Sequence, residues 1–209
     1  MQKHLRPQDL QGYDRFTRAN IINSLSGFKS ASLIGTVNKE GQTNLAIFSN
    51  IVHIGADPAL VGFVNRPLDA APHTLSNIQE TGSYTINHIS AAIFPQAHQS
   101  SAKYPADISE FDATGLTPLF REGIRAPFVA ESLVQYSLEL QQIIPIEQNG
   151  TFFVIGAIQD IFYPEEIQEE DGFLALEKAG TLCSLGTSAY YETKRLGKLA
   201  YAKADSARK

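Results

Sequence analysis

TNLAIFSNIVHIGADPALVGFVNR, residues 43–66, reads as two strand-like runs joined through Ser49, Asn50 and an Ala56-Asp57-Pro58 turn. The second run ends on Asn65-Arg66, so a hydroxyl, an amide and a guanidinium stand at strand ends. All three can hold a phosphate, the guanidinium through a two-pronged hydrogen bond. A few residues on comes Ala71-Pro72-His73-Thr74, with Pro placed where a first helical residue belongs. A helix starting there offers backbone N–H groups with no partner inside the helix. Together these features predict a β-barrel pocket for a phosphorylated aromatic ligand.

Outward from that segment the texture stays β-rich. Runs at residues 30–37 and 42–48 flank Asn38-Lys39-Glu40-Gly41, which predicts a hairpin. Residues 51–54 and 59–64 give two more strands, 83–88 alternates like another, and 133–144 with 151–162 forms a second hairpin across 145–150. Helices are expected over 13–25, where Tyr13, Phe16, Ile22 and Leu25 follow helical spacing, and over 72–80, which stops before Gly82. Further helices are expected over 91–101 and 172–179, the latter with Phe173, Leu174 and Leu176 on its apolar side. Residues 1–11 read as loose, 104–127 as a long loop with one helical turn, and 185–202 carries no assignment. About six antiparallel strands with peripheral helices imply a closed or half-closed barrel.

The chain has 209 residues, 43% apolar and 19% charged, enough for one domain with added helices. We divide it into an N-terminal arm and helix (1–27), a barrel domain (28–165) and a C-terminal helix and tail (166–209) packing on the barrel or a partner subunit. A net charge of −5 gives no basic footprint for nucleic acid. No apolar run reaches the ~20 residues of a membrane span. One cysteine, Cys183, and no apolar N-terminal stretch lead us to expect a reducing cytoplasm. Cys183 reads as a buried small side chain. The acidic stretch PEEIQEED (164–171) and the basic run 194–209 read as a solvated loop and a mobile tail, with a meeting across a subunit contact as the alternative.

No Gly-rich dinucleotide fingerprint, phosphate-binding Walker loop, HExxH or paired-Cys spacing is present. The five histidines are scattered, which argues against a metal site. Arg66, Ser49, Thr74 and the amides of His73 and Thr74 are the candidate phosphate ligands. The plain alternative is a surface Arg66 and a capping Thr74. Strand residues 45–48 could offer main-chain donors and acceptors to a flat heteroaromatic ring, with Phe48 an ordinary core residue as the alternative. His53 and His73 are the candidates for proton transfer, each read first as structural or phosphate-facing.

The order of these elements resembles the flavin reductase-like family of FMN-binding split barrels. The carriers are ASLIGTVNKEGQTNLAIFSN (31–50), DPALVGFVNRP (57–67), HTLSNIQETGSYTIN (73–87), SEFDATGLTP (109–118), TFFVIGAIQDI (151–161) and SAYYETKRLGKLAYAK (188–203). The resemblance implies a mainly β, antiparallel Greek-key split barrel with peripheral helices. It also implies a homodimer, and one FMN per subunit near the interface. By position, Ile47, Phe48, Ser49 and Asn50 would line the flavin, Arg66, His73 and Thr74 the phosphate, and Ser101 and Lys103 would reach a flavin across the interface. It further implies hydride transfer from NADH or NADPH to FMN, without an essential catalytic acid, and reduced flavin handed to a partner oxygenase. Where many relatives carry Lys-Asp-Thr this chain has Pro72-His73-Thr74. The stretch after Gly186 varies among such proteins and is expected to bear on the choice of donor and acceptor. The alternative is a non-enzymatic FMN-binding or interaction protein with the same fold.

Overall fold

A computed structural model describes residues 1–105 and 107–203. The start is more ordered than its polarity implies. A short helix, α1 (Pro7–Gln11), begins on Pro7, and Asp9 accepts the Arg6 N–H at 2.7 Å. Helix α2 (Arg15–Leu25) is capped by Asp14, whose carboxylate accepts from Phe16 and Thr17, and none of its residues is buried.

Strands β1 (Lys29–Ser30), β2 (Ser32–Val37), β3 (Thr43–Phe48), β4 (Val52–Ala56) and β5 (Ala59–Asn65) follow. The expected hairpin joins β2 to β3, closed by Asn38 N–H on the Gln42 carbonyl at 3.0 Å. Helix α3 (Pro72–Thr81) leads to β6 (Ser83–His88). The helix expected over 91–101 is shorter, α4 (Phe94–Gln99). The expected loop 104–127 holds helix α5 (Glu110–Thr114) and a hairpin of β7 (Pro118–Arg121) and β8 (Ile124–Val129). Gly123 makes that turn at φ +78°, a conformation that favours glycine. Strands β9 (Gln135–Ile146) and β10 (Thr151–Phe162) form the long second hairpin.

Seven of these strands make one antiparallel sheet in the order β3-β2-β6-β9-β10-β5-β4. The two end strands are consecutive in the chain, so the sheet rolls up and its ends meet through Ser49, Asn50 and Ile51. The result is an antiparallel Greek-key split β-barrel with peripheral helices, its seam between β3 and β4. Alternate residues of β2 serve two cores, as the pleat requires. Ile34 packs with Phe63, Tyr84, Ile86, Val154 and α3's Leu75. Leu33 packs with Leu45, Ile89, Phe111 and Leu116, tying α5 to the barrel.

The chain's end departs most from expectation. No helix forms over 172–179: Gln168 bridges Leu174, and Ala175 N–H bonds the Ile167 carbonyl at 2.8 Å. These contacts to the turn Glu165–Ile167 hold the segment in a non-helical course. Short strands β11 (Cys183–Leu185) and β12 (Ala189–Tyr191) then form a small sheet with β1. Cys183 is half-buried rather than buried. The acidic and basic stretches are not separate solvated segments, for they meet within one chain. Arg195 pairs with Glu169 at 2.5 Å and Glu177 at 2.7 Å, and Lys198 with Glu169 at 2.9 Å and Asp171 at 2.5 Å. Both cations also lie over the Phe173 ring. Residues 204–209 of the basic run lie outside the described residues.

Candidate active site

A cavity of about 700 Å³ is bounded by β3, the start of α3, the segment after α4 and the β11–β12 turn. All nine residues singled out from sequence line it: Ile47, Phe48, Ser49, Asn50, Arg66, His73, Thr74, Ser101 and Lys103. Ser101 and Lys103 line this cavity from the same chain. His53 does not belong to it and sits exposed on β4.

The β3 wall follows from sheet order. Among the described residues β3 pairs only with β2, so its other edge is left without a strand. In an antiparallel ladder alternate residues turn both main-chain groups away from the partner. Leu45 does so, and the Glu110 carboxylate accepts its N–H at 3.0 Å. By the same alternation the N–H and C=O of Ile47 face the free side. The Phe48 ring packs edge-on against Phe63, centroids 4.9 Å apart, so Phe48 is also a core residue. Asn50 is committed elsewhere: its amide donates to the Val64 carbonyl at 2.9 Å and accepts the Val64 N–H at 3.2 Å. It behaves as one extra strand residue that closes the seam, not as a free ligand group.

The α3 wall collects positive potential. The N-cap Ala71 offers no side-chain cap, so the amides of His73 and Thr74 meet no capping side chain. Thr74 is buried, and its hydroxyl oxygen accepts from the Asn44 amide at 3.1 Å, leaving the hydroxyl hydrogen to donate. Asn65, fully buried, donates to the carbonyls of Arg66 at 2.8 Å and Ala71 at 3.3 Å. One amide thereby fixes the end of β5 against the start of α3 and sets Arg66 beside the uncapped turn. Arg66 is exposed and makes no ion pair among the described residues, and the same holds for Lys103.

Several cavity groups were not foreseen. Glu110 is buried at the first turn of α5, and burial pushes its carboxyl up, opposed by the Leu45 N–H and by nearby His73. The signal available was Ser109-Glu110 in SEFDATGLTP, an N-cap followed by an acid. His98 and Tyr190 share a hydrogen bond of 2.9 Å between Nδ1 and the phenol oxygen. Burial pushes the Tyr190 phenol up. The Ser184 hydroxyl is buried with no hydrogen-bond partner among the described residues. Nothing local in the sequence joins these three. His88 lies away from the cavity and is held neutral by burial, its imidazole pushed down to about 4.

A family model described as a flavin reductase like domain matches residues 25–194. The chain belongs to this family. Among solved structures, it is 45% identical to a candidate flavin reductase with a split barrel domain from Shewanella frigidimarina NCIMB 400. That alignment covers 96% of this chain and 100% of the other, with a TM-score of 0.93. Nitrilotriacetate monooxygenase component B from Bacillus cereus shares the fold at 19% identity, covering 95% and 99% with a TM-score of 0.83. Flavoredoxin of Desulfovibrio vulgaris (Miyazaki F) does so at 24% identity, covering 100% of both chains with a TM-score of 0.73. In this chain one cavity joins Arg66 and the uncapped start of α3 to the open edge of β3.

Proposed function

We propose that this chain is an FMN-binding oxidoreductase of the flavin reductase type that takes hydride from NADH or NADPH. One observation carries the reading: a single cavity joins Arg66 and the uncapped start of α3 to the free edge of β3. A phosphate dianion needs several donors when taken from water, and Arg66, the His73 and Thr74 amides and the Thr74 hydroxyl supply them. The Ile47 N–H and C=O offer the donor and acceptor that a heteroaromatic ring edge requires. These residues fit FMN in kind. When bound, FMN supplies a ring able to accept a hydride and pass on the electrons, which no side chain here can do. The protein's share is positioning: Asn50 fixes the seam, Asn65 fixes the anion corner, and Glu110 pins β3.

The reading extends to a cytoplasmic homodimer with one FMN per subunit, and to reduced flavin passed to a partner oxygenase. The fold shared with a monooxygenase component B supports such a partner. The deciding experiment is an absorbance spectrum of the purified protein before and after anaerobic nucleotide addition. A yellow protein bleached by NADH or NADPH supports the reading. A yellow protein inert to both points to a flavin-binding module, and a colourless protein that takes up no FMN removes the proposal.

A further inference from the structure

Beside the anion corner sits a pair of ionisable side chains whose charge the flavin reading leaves unused. A hollow of about 40 Å³ opens between the start of α3, the β2–β3 hairpin and the segment leading into α5. His73, Asn44 and Glu110 line both this hollow and the main cavity. Two neutral walls are already engaged. The Asn44 amide donates to the Thr36 and Thr74 hydroxyls at 3.3 and 3.1 Å, and the Asn77 amide donates to Thr36 at 3.1 Å. Among the described residues around the hollow, only His73 and Glu110 carry ionisable side chains.

Glu110 is no ordinary surface acid. It is 9% exposed, and its carboxylate accepts the Leu45 N–H at 3.0 Å. Burial pushes its carboxyl up, while that N–H and the charge of His73 draw it down. The imidazole is thus within electrostatic reach of the carboxylate. Around the main cavity the other charged groups are Arg66, Asp69 and Lys103, and His98, Tyr104 and Tyr190 also titrate. A phosphate monoester carries close to two negative charges above pH 7. Arg66 offsets one of them, and a buried carboxylate nearby repels the ligand. An imidazole that meets both groups removes the conflict only when protonated, because it then attracts each of them.

We propose that His73 is a proton-carrying ligand of the phosphate and Glu110 its positioning residue, so that FMN docks together with a proton. It rests on the function proposed above and names the second positive charge of the anion corner. The proton comes from solvent onto one imidazole nitrogen, and no covalent bond to the ligand forms. Linkage sets the sign: a complex that binds a proton the free protein lacks weakens as pH rises, by up to about tenfold per pH unit.

The test uses the full chain with FMN and riboflavin, which share the ring and differ by the phosphate. The ratio of their affinities is read by fluorescence quenching from pH 7 to 9, above the range near 6 where the phosphate itself titrates. In the unmodified protein FMN's advantage should fall about tenfold across that range. Calorimetry at pH 8 in buffers of different ionisation heat should count about half a proton or more taken up with FMN and about none with riboflavin. His73→Gln should lower the ratio at pH 7 and leave it flat. Glu110→Gln, which keeps an acceptor for the Leu45 N–H, should move the fall about one pH unit lower. A flat ratio without proton uptake in the unmodified protein would overturn the inference while FMN binding stands. So would a His73→Gln protein that keeps the pH dependence, or a Glu110→Gln profile superimposable on the original, since a purely structural carboxyl leaves that profile alone. A chain that takes up no FMN at any pH would overturn the functional reading and the inference together. Should Glu110→Gln fold poorly, the His73→Gln profile decides.

Discussion

Replacing Arg66 with Ala isolates the proposed anion corner, because this guanidinium has no hydrogen-bond partner among the described residues. It is exposed, makes no ion pair among the described residues, and is set beside the α3 start by its carbonyl, not by its side chain. Truncation should therefore leave the fold intact. A hydrogen bond to a charged partner contributes about 1.5–3 kcal/mol, and exposure to solvent lowers that range. The α3 amides and Thr74 remain, so binding should weaken, not vanish. We expect a loss of about 1–3 kcal/mol, which is roughly 5- to 150-fold in Kd for FMN. Arg66→Lys should fall between, keeping the charge but losing the fork. The assay is titration of flavin fluorescence quenching, run in parallel with riboflavin, which has the same ring and no phosphate. Only the FMN curve should move. Equal losses for the two flavins, or no loss for FMN, would refute the phosphate assignment.

Acid stability provides a second test. Folded His88 gains its proton at about 4 and the ordinary value is 6.5, so the unfolded chain binds more protons between those values. Stability should be full above 6.5 and fall by about 3 kcal/mol as pH drops toward 4, a slope that urea titrations of His88→Gln should lack. Glu110, pushed up by burial, acts oppositely, its contribution being lost as pH rises, so the two wild-type limbs partly offset and only the variant difference is diagnostic. Gly35→Ala would drive a Cβ into the Pro127 carbonyl oxygen and the Thr85 hydroxyl, and should lower stability by about 2–4 kcal/mol in the same titration. An unchanged midpoint would show that β8 moves freely off β2. Replacing both Arg195 and Lys198 with Ala should speed chymotrypsin cleavage at Leu196, Leu199 and Tyr201, which are already exposed, while the global midpoint holds. High salt should have the same effect on the unmodified chain.

How much of this was legible depended on whether the signal was local. The Asn38–Gly41 hairpin, the Pro72 start and the Gly82 stop each carry their geometry in adjacent residues, and the elements formed as read. The β7–β8 hairpin was hidden because Pro118 and Pro127 argue against strands in a central position, yet both lie on a small separate sheet where a missing N–H is tolerated. Residues 172–179 have a helical apolar spacing, but contacts to Ile167 and Gln168 override it, and these are tertiary. The site divides in the same way. Arg66, His73 and Thr74 sit at strand and helix ends that sequence can mark. Glu110 meets Leu45 across 65 positions and His98 meets Tyr190 across 92, which no window along the chain can reveal.

The open side of β3 has a further consequence for the molecule's behaviour in solution. Bare strand edges recruit other strands, and proteins ordinarily blunt them with charge, kinks or a covering element. Here Glu110 masks Leu45 and the seam amide of Asn50 ends the strand, and the stretch between is left uncovered. On the proposed function, a flavin lying along it would also shield the sheet edge, and the emptied chain should then clump sooner than the filled one.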